Sequence, residues 1–280
     1  MNILVTGATG RIGSRIVPRL LQRGDCVRVL VRQPERAQTL REHGAEIAVG
    51  DLLQPETLNQ AVADIDAIVH LAAFFRGATE EQTRAVNLEG TVSLAQAALQ
   101  ANVRRFIFAS TNLVYGTDIG RAFNEEDSPK PAGPYPETKA AAEQALMQLH
   151  YTRGLDLRIL RLAFVYGDKD PHLSEGMQWF RNWNPQQRIH MVHHADVAQA
   201  VMLATDTQEI GGQIYNVADN EPAPAEQIMK LFGEPVGEDA AHRPIDTAWL
   251  QIADTAKIRE KLGFRPIYPS LRNAVEANAL

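Results

Sequence analysis

One cysteine, Cys26, is present in 280 residues, so no internal disulfide can staple the chain and its own core must hold it. Cys26 sits beside the apolar run Val27–Val31 and reads as a small buried hydrophobe rather than a nucleophile. No apolar run approaches the ~18 residues of a membrane-spanning helix. Positive charge is in deficit: 28 Lys and Arg against 34 Asp and Glu give a net charge of −6, which argues against general nucleic-acid binding. Internal repeats, low-complexity tracts and long linkers are missing too. The chain enters an apolar strand without a charged leader segment, and with a single thiol this implies a cytoplasmic location.

What remains is an ordinary globular composition, 45% hydrophobic and 22% charged, on a chain long enough for one large core with a small appendage. Apolar runs recur at Ile3–Val5, Val27–Val31, Glu46–Val49, Ala67–His70, Phe106–Ala109 and Leu157–Leu162, separated by helical patterns. Strand–helix alternation calls for right-handed crossovers and a parallel sheet covered on both faces, an α/β architecture. The proline-rich stretch Asn124 to Pro136 reads as an ordered loop feeding a helix from Lys139 to Leu149.

The first run leads into Gly7, Gly10 and Gly13, each three residues after the last, and then into an amphipathic segment, Ile12-Ile16-Leu20-Leu21, ending near Gly24. Strand, glycine-rich turn and helix form the context of a dinucleotide-binding fingerprint. Gly7 permits the tight turn, Gly10 lets the backbone approach a pyrophosphate, and Gly13 brings the helix close to the strand, its amides facing the anion. Pro18 breaks the helical pattern at a cost of roughly 3 kcal/mol or a kink, and nothing in the sequence accounts for it.

Tyr135 and Lys139 carry the second signal. Spaced i and i+4, a phenol and an ammonium share one helix face and can point into one pocket. A lysine cation beside a tyrosine favours the phenolate and lowers its pKa, which makes a proton shuttle for a carbon that gains or loses hydride.

Together, Thr6-Gly7-Ala8-Thr9-Gly10-Arg11-Ile12-Gly13 and Tyr135-x-x-x-Lys139 resemble the short-chain dehydrogenase/reductase superfamily, in particular its extended epimerase/dehydratase branch. Matches continue through Gly50-Asp51-Leu52, His70-Leu71-Ala72-Ala73, Asn87-Leu-Glu-Gly90-Thr91, Ser110-Thr111-Asn112-Leu113-Val114-Tyr115-Gly116, Arg161 to Gly167, Val192 to Ala198 and Tyr215-Asn216-Val217. The resemblance implies a Rossmann-type doubly wound parallel sheet over residues 1–167, rejoined at about 192–217, with 168–191 and 218–280 forming a small C-terminal substrate-binding lobe. It further implies Tyr135 as proton donor and acceptor, Lys139 on the nicotinamide ribose, and Thr111 on the reacting oxygen. Gly7, Thr9, Gly10, Arg11, Ile12 and Gly13 would hold the cofactor with Asp51, Leu52, Leu71, Ala72 and Ala73. Phe75, Ser110, Thr111 and Phe164 would face the substrate. His70 reads as a structural histidine and Asn87 as a brace. By their residues alone, Asp51 equally fits a turn or helix cap, and Ser110 and Thr111 equally fit loop caps.

The acid expected to hold an NAD ribose belongs about 20 residues beyond the fingerprint, where Val31 and Arg32 stand. An arginine fork suits a 2′-phosphate, so NADP is expected, with Arg11 and Arg36 assisting; Glu35 keeps NAD open. Dehydratases of this branch carry Asp-Glu after the threonine, whereas this chain has Asn112-Leu113. Nucleotide-sugar enzymes typically place asparagine at the position of Phe164 and have a longer insertion after Gly167. An apolar residue there cannot satisfy a diphosphate, which points to a smaller ketone or secondary alcohol as substrate. Sugar or nucleotide-sugar epimerisation and a non-catalytic NADP-binding redox sensor are the alternatives. His193, His194 and Asp196 have ligand chemistry but no second cluster, and no metal is expected. The helices around Val92–Leu99 and Ala140–Leu149 resemble those of the superfamily's homodimer interface. No nucleic-acid or membrane partner is expected.

Overall fold

The strands of the computed structural model, which describes residues 1–280, are β1 (Asn2–Thr6), β2 (Cys26–Val31), β3 (Glu46–Val49), β4 (Ala67–His70), β5 (Arg105–Thr111), β6 (Leu157–Leu162), β7 (Phe164–Tyr166), β8 (Arg188–Ile189), β9 (Met191–His193), β10 (Gln213–Val217) and β11 (Ala223–Pro224). Seven of them form one sheet in the order β10-β6-β5-β4-β1-β2-β3. All six pairings are parallel. This is the doubly wound Rossmann-type α/β sheet. Chain order reverses between β1 and β4, so the loops leaving those two strands part there and open a crevice at the carboxyl edge.

Burial on both faces explains why the strands read as continuous apolar runs. Ile3 and Val5 of β1 join one core while Leu4 joins the other; Ile107 and Phe108 of β5 divide in the same way. A third, smaller core gathers Leu173, Met177 and Phe180 of the helix His172–Phe180 with Ile228, Met229, Leu271 and Ala274. It holds the segments beyond Gly167 together over the crevice.

Two local expectations need correction. Cys26 is exposed, because it opens β2 opposite Asn2 at the amino-terminal ends of the strands and burial starts only at Val27. The helix bearing Tyr135 and Lys139 runs from Pro134 to Arg153, beginning five residues before the expected start. Pro134 and Pro136 fall in its first turn, where backbone N–H groups have no intrahelical partner to lose. Pro18 does lie within the first helix, Gly13–Gln22. The carbonyl it deprives is that of Ser14, an exposed residue that water can serve. The helices Thr91–Gln100 and Pro134–Arg153 pack on the sheet through Leu94, Ala98, Ala142 and Leu146, in the core with Phe106 and Phe108.

Candidate active site

The crevice at the switch point is a cleft of about 570 Å³. The turn after β1 forms its floor. Gly7 takes a φ of +69°, and a Cβ there would come within 2.6 Å of the Ala72 nitrogen; one on Gly13 would come within 2.2 Å of the Gly7 oxygen. Two backbones therefore touch where only glycine fits, and the first helix points its N-terminal amides into the cleft. Thr9, Gly10, Arg11, Ile12, Leu71, Ala72 and Ala73 line the same space.

At one end the cleft is lined by Arg32, Arg36, Asp51 and Leu52, and Glu35 does not reach it. Both arginines are exposed and make no ion pair. Asp51 folds back on itself, accepting from the Leu53 amide at 3.0 Å in a turn. Arg11, expected beside Arg32, is otherwise engaged. Its guanidinium binds Asp170 at 2.9 Å and Glu175 at 2.8 Å. Arg15 reaches the Asp168 carbonyl and Arg19 the Asp168 carboxylate. Against the penalty of burial, His194 and Arg11 hold the Asp170 carboxyl at about 2.

Toward the centre stand Thr111, Tyr135 and Lys139. Thr111 ends β5 and caps the short turn Asn112–Tyr115, accepting from the Leu113 amide at 3.2 Å. Ser110 lines the cleft too, but its hydroxyl is donated to Glu143, so the expected substrate contact is spent on a protein partner. Glu143 also accepts from Arg161 at 2.7 Å, the two side chains being 5% and 2% exposed. Tyr135, Lys139 and Glu143 stand at i, i+4 and i+8, and so form one stripe down the helix. The acid at the end of that stripe was the sequence signal left unread.

The electrostatics of the pair differ from expectation. Lys139 turns toward the sheet, its Nζ 3.8 Å from the centre of the Phe108 ring. Burial lowers the ammonium to about 7, with Glu143 partly restoring it. Burial raises the Tyr135 phenol to about 12, with the Thr111 hydroxyl partly offsetting it. At neutral pH the Tyr135 phenol therefore keeps its proton.

Behind the cleft a hydrogen-bonded chain fixes the walls. Thr91 donates to the Asn87 carbonyl, so the His70 Nε2–H donates to Thr91 at 2.8 Å, and Nδ1 accepts from Thr6 at 2.6 Å. Burial, then the charge of Lys139, pulls His70 down to about 3 and keeps it neutral. Asn87 lies in a π-helical turn, Ala85–Gly90, and clamps Phe74 through both its N–H and carbonyl while reaching Thr138 at 3.1 Å. The loop after β4 is thus tied to the helix that carries Tyr135.

The other end of the cleft is aromatic. Phe75 meets Tyr135 edge-on at 4.7 Å. Phe164 stacks on His172 at 3.9 Å, and Trp179, Phe180, Trp183 and Trp249 complete the wall. A second cavity of about 440 Å³ adjoins it and shares Phe75, Arg76, Leu113, Tyr135, Trp249 and Gln251. His172, Trp249 and Arg76 were not anticipated; His172 opens the helix His172–Phe180, Trp249 ends a short turn, and Arg76 lies in the loop after β4, none of them within a periodic pattern. Asn112 is buried and donates to the Gln251 carbonyl. His193, His194 and Asp196 each face a separate partner: the Ala279 carbonyl, Asp170, and the amides of Ile267 and Tyr268.

Comparison with known proteins gives a consistent picture. The profile of the NAD dependent epimerase/dehydratase family matches residues 3–218. The 4-hydroxy-2-methyl-3-oxo-4-farnesyl-3,4-dihydroquinoline-1-oxide ketoreductase of Stigmatella aurantiaca is 31% identical over 248 residues, covering 85% of this chain and 74% of its own length. UDP-glucose 4-epimerase of Thermotoga maritima, solved with UDP-glucose, has a TM-score of 0.82 at 26% identity, over 99% of this chain and 96% of that one. A short-chain dehydrogenase/reductase superfamily protein of Agrobacterium tumefaciens with bound NAD has a TM-score of 0.83 at 27% identity, over 99% and 95%.

Proposed function

This chain belongs to the NAD dependent epimerase/dehydratase family, enzymes of the extended short-chain dehydrogenase/reductase type, and from that premise we propose that it is an NADP-dependent oxidoreductase acting on a small ketone or secondary alcohol. The observation that carries the reading is the aromatic wall facing Thr111 and Tyr135, with Phe164 stacked on His172. Such a wall suits an apolar carbonyl compound and offers little to a diphosphate.

The cleft fits a dinucleotide. Gly7, Gly10 and Gly13 with the first helix would receive its pyrophosphate, Asp51 and Leu52 its adenine, and Leu71 to Ala73 its middle. Arg32 and Arg36 are free cations where a 2′-phosphate would be held, which favours NADP over NAD. When bound, the nicotinamide supplies or accepts the hydride. The rest falls to the protein. Thr111 orients the carbonyl and donates to the oxygen as charge grows on it. Tyr135 then gives that oxygen its proton, as its raised pKa permits in the direction of reduction. Lys139 would hold the ribose and stabilise the phenolate left behind.

Epimerisation through a transient ketone uses the same three residues, and the likeness to UDP-glucose 4-epimerase keeps it as the second reading. A homodimer through the helices Thr91–Gln100 and Pro134–Arg153 belongs to this proposal, and light scattering tests it; a monodisperse monomer removes it. The function itself is tested by fluorescence titration with NADPH and NADH, followed by a panel of ketones monitored at the nicotinamide absorbance. Tight NADPH binding with net oxidation is expected. A retained cofactor with no net turnover would favour epimerisation.

A further inference from the structure

Arg76 stands where the two cavities meet and lines both. Its guanidinium lies between two rings, 4.4 Å from the centre of Phe75 and 4.1 Å from that of Trp179. Aromatic faces hold the plane of a guanidinium but leave the N–H donors along its edge unused. No protein acceptor takes them. The acid best placed to do so, Glu175, gives both its oxygens to Arg11. Phe75, under the guanidinium, is the ring that meets Tyr135 edge-on. A fixed and unpaired cation therefore lies one ring away from the phenol, in a mouth whose other walls are largely aromatic. Any neutral ligand filling that mouth would strip water from the guanidinium and return nothing. A carboxylate would return two parallel charge-assisted bonds, and the stacking has already removed much of the rotamer freedom that binding would otherwise cost.

We propose that Arg76 anchors a carboxylate of the substrate, so that the enzyme acts on an apolar or aryl keto acid and, in reverse, on the matching hydroxy acid. This rests on the oxidoreductase reading above, and the test separates the two. Benzoylformate and its methyl ester serve as probes, titrated calorimetrically into the NADP⁺-loaded protein and its Arg76→Met and Arg76→Lys variants. Methionine keeps much of the packing and loses the charge. The acid is expected to bind the wild type at least about tenfold tighter than the ester, as a charge-assisted pair implies. That preference should vanish in Arg76→Met and return in part in Arg76→Lys, with NADP⁺ affinity unchanged in both. An acid that binds no tighter than the ester, or a preference that survives Arg76→Met, overturns the proposal. So does an Arg76→Met variant that loses NADP⁺ and keeps the acid preference, since Arg76 would then serve the cofactor's phosphates. NADPH oxidation by the same two compounds is read separately. Acid binding through Arg76 without turnover sinks the reductase reading and leaves the anion site standing.

Discussion

Ser110 gives its hydroxyl hydrogen to Glu143, while Thr111, its neighbour, ends the same strand at the cleft. Both line the cleft, but the Ser110 hydroxyl is committed to a buried carboxylate, which leaves Thr111 as the hydroxyl expected to meet a substrate. The Ser110→Ala variant is expected to keep kcat within a few-fold and to lose about 1–2 kcal/mol of stability. Thr111→Ala should lower kcat/KM by about 100-fold or more. Steady-state kinetics beside urea denaturation separates them; equal kinetic losses in the two variants would refute the division.

Glu143 neutralises Arg161, whose side chain is 2% exposed. Removing one partner of such a pair strands the other charge. Glu143→Gln is therefore expected to cost about 3–5 kcal/mol, read as a fall in the urea midpoint at unchanged slope. A loss under ~1 kcal/mol would mean that water reaches Arg161.

Arg32 offers its fork at the cleft end where a 2′-phosphate would lie. Arg32→Ala should weaken NADPH at least about tenfold and leave NADH nearly unchanged. Parallel fluorescence titrations measure this. Equal effects on both cofactors would place Arg32 outside phosphate recognition.

Two buried groups give stability terms of opposite sign. His70 is lowered from 6.5 to about 3 by burial first, so below pH 6.5 the unfolded chain takes up the proton and the native fold does not. Its contribution is lost as pH falls, by about 2 kcal/mol between pH 6.5 and 5. Asp219 is raised from 3.8 to about 8, again by burial first. Here the native state keeps the proton, and stability is lost as pH rises from about 4 toward 8. Urea midpoints of His70→Gln relative to wild type should improve toward acid pH, and those of Asp219→Asn toward alkaline pH. Parallel curves for either variant would contradict the assigned shift.

Much of the sheet was legible from residues alone. The runs Ile3–Val5 and Leu157–Leu162 lie within strands of nearly the same limits, because a strand buried on both faces must be apolar throughout. Tyr135 and Lys139 were legible as a pair, yet the helix start was not: prolines read as breakers until their place in the first turn is known. The direction of the pKa shifts depended on depth of burial, which spacing does not encode. The destination of Arg11 was set by Asp170, 159 residues away, and that of Arg76 by Trp179 on the helix His172–Phe180. Contacts of that range leave no local pattern.

Arg11, in the turn just ahead of the first helix, and Arg15 and Arg19 upon it stand at intervals of four and grip the segment Asp168–Glu175. The helix that would cradle phosphate and the flap that roofs the cleft are thereby laced together by charge, whereas the flap's far side is fastened by Leu173, Met177 and Phe180 in grease. Dissolved salt loosens the first fastening and spares the second. Raising ionic strength should quicken amide hydrogen exchange at 168–172 and leave 176–180 nearly as slow as before; uniform acceleration would mean the flap lifts as one piece. A roof hinged on oil and latched by ions would let the solution outside decide how readily the cleft opens.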